Sequence, residues 1–141
     1  MDCLTSARQR LAAATDLPGI LDPAYDAFED MLAVLRRHQQ DDHGAFPAFV
    51  LAAAAAANGR DWIAGADSLP PATARDQAGD PPEGTTVADV ARAVAVLSSE
   101  LASRLTATAA SVAGAGDRLC CEGAAQEAAA ITDLLAGANP P

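Results

Sequence analysis

Alanine is the dominant apolar residue of this 141-residue chain and supplies 37 of its 71 hydrophobic positions. Leucine, isoleucine, valine and phenylalanine together number 27, just under the one-fifth share below which a highly charged chain is expected to be disordered. Alanine, however, is the strongest helix former and loses no side-chain entropy on folding. We therefore expect an all-α protein in which alanine fills a closely packed core. Its length suits one domain, residues 1–141.

The chain is strongly acidic, with 19 Asp and Glu residues against 9 Arg and no Lys, which gives a formal net charge of −10. Proteins that neutralise nucleic-acid phosphates or bind anionic lipids need clustered positive charge. We therefore expect no nucleic-acid partner and no membrane partner. The longest uncharged apolar run, residues 45–57, is also shorter than the roughly 20 residues that cross a bilayer.

The N-terminus and the cysteines bear on the compartment. No basic segment followed by an apolar stretch occurs near Met1, so the sequence predicts no secretory signal. Three cysteines are an odd number, and Cys120 and Cys121 are adjacent, which does not suit a structural disulfide framework. We expect a cytoplasmic protein with reduced thiols.

The apolar periodicity predicts a short N-terminal helix over 5–14, followed by four main helices. The first main helix is expected to begin with Asp22 as its N-cap and Pro23 at its first helical position. The second is expected to begin at Phe46 and to continue through six consecutive alanines. A glycine interrupts this second pattern, which predicts a break or kink near Gly59.

Thr86 and Asp89 resemble a capping box that opens the third main helix. Its apolar residues recur at three- and four-residue spacing for more than three turns. The last helix is expected over 117–136. Between the second and third main helices, residues 65–84 are rich in Pro, Gly and Asp, which predicts a flexible crossover loop. The expected fold is an antiparallel bundle of four main helices plus the short N-terminal helix.

Aromatic residues are the candidates for a ligand pocket. Trp62, the only tryptophan, lies at a predicted helix end, where it can line a cleft or anchor a partner. The other aromatic residues recur at helical spacing, which is more typical of an ordinary core. If an apolar small molecule binds between the helices, we expect it to contact Tyr25, Phe28, Phe46, Phe49 and Trp62.

Two further groups can carry chemistry. Cys120 falls on the apolar stripe of the last helix, whereas Cys121 is expected to be partly exposed and is the candidate reactive thiol, because free amides at a helix start lower a thiol pKa. The segment from His38 to His43 contains four potential metal ligands. Its spacing across a helix end defines no tetrahedral geometry, so a solvated helix end is the simpler interpretation.

No cofactor is predicted, because the Glu-x-x-His pairs that hold a dimetal site in a helical bundle do not occur in the sequence. We hypothesise a non-enzymatic module with an accessory or regulatory role that binds a protein partner or forms a homodimer. The alternative is a carrier or enzyme for an apolar small molecule. A third possibility, based on net charge alone, is an acidic mimic that blocks a basic surface.

Overall fold

The protein is described by a computed structural model that covers residues 2–70 and 82–138. Within these two ranges the chain folds into five helices and no strand, which confirms the all-α prediction. In chain order the helices are α1 (Asp2–Ala13), α2 (Leu17–His38), α3 (Phe46–Ala64), α4 (Val87–Ser111) and α5 (Ala115–Ala138).

The four long helices form a closed ring. α2 packs on α3, α3 on α5, α5 on α4, and α4 on α2. Across the described residues, the diagonal pairs α2 with α5 and α3 with α4 make no contact. The chain segment between α3 and α4 therefore joins two helices on opposite corners of the ring, which explains why this connection is long.

The short helix α1 lies across α2 and α4. Arg8 donates two hydrogen bonds to Glu100 of α4, at 2.6 and 3.0 Å. Arg10 donates a hydrogen bond of 2.7 Å to Asp26 of α2. Three apolar residues anchor the helix in the core: Leu4, Ala7 and Leu11. α1 thus covers part of α2 and α4, and it makes no contact with α3 or α5 across the described chain.

α2 begins at Leu17, so the start predicted at Asp22 and Pro23 is wrong. The N-cap is Asp16, whose carboxylate accepts a hydrogen bond of 2.8 Å from the Gly19 amide. An acceptor side chain at this position satisfies one of the free amides of the first turn. The predicted capping residues therefore lie inside the helix.

The earlier start is favoured by burial. It places Ile20 and Leu21 in helical turns where they are 2% and 0% exposed. Burying two such side chains contributes about 3–6 kcal/mol. That gain offsets the cost of Pro23 inside a helix, which is about 3 kcal/mol.

α3 begins at Phe46, as predicted, but it continues through Gly59, so the predicted break is wrong, while a kink there stays a prediction. A Cβ atom at Gly59 would lie 2.5 Å from Cζ and 2.8 Å from Cδ1 of Phe28, whose side chain is fully buried. The glycine is required because α3 approaches the aromatic ring of α2 closely. It does not end the helix.

The capping box of α4 is confirmed. The Asp89 amide donates to the Thr86 hydroxyl, and the Thr86 amide donates to the Asp89 carboxylate, each at 3.1 Å. The apolar stripe of α4 faces the bundle interior, with eight buried residues: Val90, Ala91, Val94, Leu97, Ser98, Leu101, Leu105 and Ala109.

The predicted crossover loop, residues 65–84, is described only at its two ends; residues 71–81 lie outside the described residues. The first part, residues 65–70, packs on the start of α5. There the Ser68 hydroxyl and amide donate to the Asp117 carboxylate at 2.6 and 3.2 Å. Ala66 beside it is buried. This end of the connection is therefore fixed to the bundle.

Candidate functional site

α3 differs from a typical surface helix because its apolar residues are not confined to one side. Its first 12 residues, 46–57, contain no polar side chain. A helix that is hydrophobic all round is normally enclosed by other elements. Among the described helices, however, only α2 and α5 pack against α3. One side of this apolar helix therefore faces solvent.

The inward side of α3 fills the core with mostly small residues: Phe49, Ala52, Ala53, Ala55, Ala56, Gly59 and Ile63. The outward side also contains Pro47, Asp61 and Ala64, which are exposed. Its other exposed residues, here named the α3 outer face, are Phe46, Val50, Leu51, Ala54, Asn58 and Trp62. The exposed fractions of its four large hydrophobic residues are 40% for Phe46, 37% for Val50, 55% for Leu51 and 38% for Trp62.

These exposed side chains are concentrated on one helix. In the described part of the chain, six large hydrophobic residues are exposed, and four of them lie on the α3 outer face. The other two are Val96 on α4 and Leu119 on α5. Single exposed apolar residues are ordinary on soluble proteins, whereas a contiguous group marks a binding surface. The α3 outer face is therefore the candidate functional site.

The apolar surface continues from α3 onto α5. Trp62 packs over Gly123 of α5, where a Cβ atom would lie 2.9 Å from Cζ2 of the indole. Leu119 lies one helical turn before Gly123 and is 58% exposed. This contact joins the end of α3 to the first turns of α5.

A charged rim borders α3 on the side of α2. Arg60 Nη1 lies 3.5 Å from Glu29 Oε2 of α2, and Arg60 Nε lies 3.3 Å from Asp61 Oδ1. Tyr25 is close to the same group. Its pKa is raised, first by burial and then by the negative charge of Glu29. The side of α3 next to α2 is therefore charged, whereas the α3 outer face beside it presents large apolar side chains.

The structure does not gather the five predicted aromatic ligand residues into one pocket. Phe28 and Phe49 are fully buried in the core. Phe46 and Trp62 lie 16 positions apart in α3, which corresponds to about 24 Å along the helix axis. Tyr25 lies at the charged rim. A pocket for an apolar small molecule among these residues stays a prediction.

Two shallow grooves occur elsewhere, along α1 and α4. The larger has a volume of about 800 Å³, and the smaller about 570 Å³. Arg104 lines both and donates a short hydrogen bond to the Ala14 carbonyl. None of the five predicted aromatic residues lines either groove.

The two adjacent cysteines are arranged differently from the prediction. Cys121, expected to be partly exposed, is 0% exposed, and Cys120 is 9% exposed. Burial, and after it the charge of Asp117, raises the pKa of Cys121 to about 11. Burial also raises the pKa of Cys120. The thiol pKa is therefore raised where a lowering was expected. α5 begins at Ala115, so Cys121 lies beyond the free amides of its first turn and burial dominates.

His38 and His43 differ in their surroundings. His38 is 7% exposed, and its Nδ1 atom lies 2.8 Å from Asp41 Oδ2, whereas His43 is exposed. The Asp42 carboxylate accepts hydrogen bonds from the backbone amides of the turn into α3. Within the described residues, no group of three or more His, Cys, Asp or Glu side chains is arranged to hold a metal ion. A metal at these histidines stays a prediction.

Val50, Leu51 and Ala54 were not among the residues singled out from the sequence. The sequence did contain an indication of this face: the run 45–57 has no polar residue, so a helix formed by it has no polar side. Such a run cannot form an ordinary amphipathic surface helix. What the sequence did not reveal is how many neighbours cover the helix.

No helix in the described ranges is long and apolar enough to cross a membrane. Comparison of the chain with protein-family models, with curated proteins and with solved structures finds no match.

Proposed function

We propose that this protein is a non-enzymatic helical interaction module, with an accessory or regulatory role, that docks a partner protein or a second copy on the α3 outer face. The observation that carries the proposal is a helix with 12 consecutive non-polar residues and only two neighbouring helices in the described chain. In this proposal, the partner packs against the side of α3 that no described helix contacts.

The exposed area limits how strongly the α3 outer face can bind by itself. Four large side chains on this face are each between 37% and 55% exposed. At about 25 cal/mol per Å² of apolar surface, covering them contributes a few kcal/mol. Association costs about 4–15 kcal/mol in lost translational and rotational freedom. A partner therefore also has to bury surface outside these four side chains.

The test exploits two valines of nearly equal exposure, Val50 on α3 and Val96 on α4, at 37% and 39%. Each is replaced in turn by a photo-crosslinking amino acid, and the protein is irradiated in extract of its source cells. We expect a discrete adduct, either a dimer or a conjugate with another protein, from position 50 and none from position 96. Excess unlabelled protein should suppress it.

Charge substitutions provide the second half of the test. Val50→Lys places an ammonium group in the docking surface, so an excess of this variant should not suppress formation of the adduct. An excess of Val96→Lys should suppress it as the natural chain does. Equal labelling from positions 50 and 96, or competition that survives Val50→Lys, would contradict docking on the α3 outer face. Circular dichroism verifies that both lysine variants remain folded.

A further inference from the structure

One ridge of side chains runs along the whole α3 outer face. Its members are spaced four residues apart: Phe46, Val50, Ala54, Asn58 and Trp62. Side chains at this spacing form the ridges through which helices most often pack, at crossing angles of about −50°. Its side chains are large at the two ends, at Phe46 and Trp62. They are intermediate in size at Val50 and Asn58 and small at Ala54, the centre. Its size profile is therefore the same when read in either direction.

A symmetric profile suits a partner that presents the same ridge in the opposite direction. In a twofold interface the same surface patch lies on both sides. With the axis through Ala54, Phe46 of one copy lies level with Trp62 of the other, because each is eight residues from the centre. Ala54 at the crossing lets the helix axes approach toward the close end of the usual range, about 8 Å.

The net charge of −10 would oppose self-association if the charges met at the interface. The five ridge residues carry no charge, but the exposed Asp61 lies directly beside Trp62. Asp61 is seven residues from Ala54, so its two copies would be about 21 Å apart along the axis. That exceeds the screening length of about 8 Å at physiological salt. Repulsion across the centre is therefore weak.

The available area sets the strength of such a dimer. A stable interface buries about 800 Å² on each partner. α3 has 19 residues and is about 28 Å long, so a strip about 10 Å wide supplies less than half of that area. Leu119, exposed beside the Trp62 end, extends the apolar strip onto α5. The expected dimer is therefore weak and depends on concentration.

We propose that the α3 outer face docks a second copy of this chain, with the two α3 helices antiparallel and crossing at Ala54. This inference rests on the proposed function and names the partner for the same surface. It predicts a reversible dimer of micromolar or weaker affinity.

Cysteine crosslinking tests the geometry directly, using the full chain with Cys3→Ser, since Cys3 is partly exposed whereas Cys120 and Cys121 are buried. Disulfides need Cα atoms within about 7 Å. Helix axes about 8–10 Å apart place the two Cα atoms at the crossing within that limit. Ala54→Cys should therefore form a disulfide-linked dimer under mild oxidation. Val96→Cys, on the opposite corner of the ring, is the matched control and should not.

The direction of the helices is tested by Val50→Cys and Asn58→Cys. In the antiparallel pair, each residue lies about 12 Å along the axis from its own copy, but level with the other residue. Neither variant alone should crosslink well, whereas an equimolar mixture should give more dimer. Efficient crosslinking of Val50→Cys with itself would indicate parallel helices and overturn the antiparallel model.

Sedimentation of the unmodified chain, from about 1 µM to about 1 mM, separates this inference from the proposed function. We expect a monomer–dimer equilibrium whose Kd rises at least about tenfold in Val50→Lys and is unchanged in Val96→Lys. A strict monomer over this range overturns the second copy as the partner, while a position-50 adduct with another protein would still support docking on this face. A dimer insensitive to Val50→Lys overturns both.

Discussion

α3 and α4 both bury apolar residues in the bundle, but their exposed sides differ. α4 has one apolar stripe, and of its large hydrophobic residues only Val96 is exposed, at 39%. Over residues 46–57, α3 has no polar side chain, and the whole helix has four exposed large hydrophobic residues. Apolar content alone therefore does not indicate burial. In α4 the periodicity of apolar residues indicates which side chains are buried. In α3 the number of neighbouring helices determines how many of its apolar side chains are buried.

The largest expected effect separates a leucine of each helix. Leu101 of α4 is 0% exposed, whereas Leu51 of α3 is 55% exposed. Leu101→Ala should lower the free energy of unfolding by about 2–5 kcal/mol, because it leaves a cavity in a packed core. Leu51→Ala should change it by no more than about 0.5 kcal/mol. Urea denaturation at micromolar concentration measures both. A loss above about 1 kcal/mol in Leu51→Ala would show that the α3 outer face supports the monomer.

The second prediction compares two glycine contacts of α3. Gly59 meets the buried ring of Phe28, whereas Gly123 of α5 meets Trp62, which is 38% exposed and can move. Alanine gains about 1 kcal/mol in helix propensity at either site. Overpacking costs about 1–3 kcal/mol where the neighbour cannot yield. Gly59→Ala should therefore be clearly destabilising, and Gly123→Ala much less so.

Gly137 provides the control, because no atom lies within 4 Å of an added Cβ atom there. Gly137→Ala should be neutral or slightly stabilising in the same urea titration. If Gly59→Ala proved as stable as Gly137→Ala, the close approach of α3 to α2 would be disproved.

A smaller effect is expected at the helix starts. α4 has a capping box, whereas the N-cap of α3, Ala45, has no side-chain hydrogen bond. Thr86→Ala should cost about 1 kcal/mol of stability by thermal or urea unfolding. The control is Thr106→Ala, which removes an exposed threonine from the body of the same helix. An equal loss in both variants would mean that the cap itself contributes nothing.

The smallest effect concerns pH. Hydrogen bonds from Thr86, and then the charge of Arg92, lower the pKa of Asp89. A carboxylate whose pKa is lowered on folding stabilises the protein fully above its unfolded pKa of about 4, and loses this effect as pH falls through the lower folded value. The stability difference between the natural chain and Asp89→Ala should therefore shrink between pH 5 and about pH 2.5. A difference that grew on acidification would contradict this assignment.

Local signals in the sequence predicted those features that depend on neighbouring residues. The hydrogen bonds of Thr86 and Asp89 lie within one turn, so the start of α4 was predictable. The start of α2 was not, because Asp16 and Asp22 each precede a proline-containing segment suited to a helix start. The choice between them depends on burying Ile20 and Leu21 against the rest of the ring.

The misplaced cysteines have a related cause. The stripe through Cys120 assumes one buried side, but α5 packs on both α3 and α4. A helix between two neighbours buries a wider sector, so the adjacent residue Cys121 is enclosed as well. Periodicity indicates the centre of a buried face, whereas the number of neighbouring helices sets its width.

The candidate site was predictable only in part. The aromatic residues Phe46 and Trp62 were singled out from the sequence, and both are exposed on α3. Alanine was expected to fill the core, and Ala52, Ala53, Ala55 and Ala56 are buried. Nothing in the sequence marked Val50 and Leu51 as exposed, because their exposure depends on which helices pack against α3.

The sequence was sufficient to predict that the chain is all helical, where α3 and α4 begin, and which residues of α4 face inward. Each follows from propensity, capping or periodicity, which act over one or two turns. Tertiary structure alone decided that α3 is contacted by two helices, that Phe28 requires a glycine at 59, and that Cys121 is enclosed. These depend on contacts between residues distant in sequence, whose geometry the ring of helices sets.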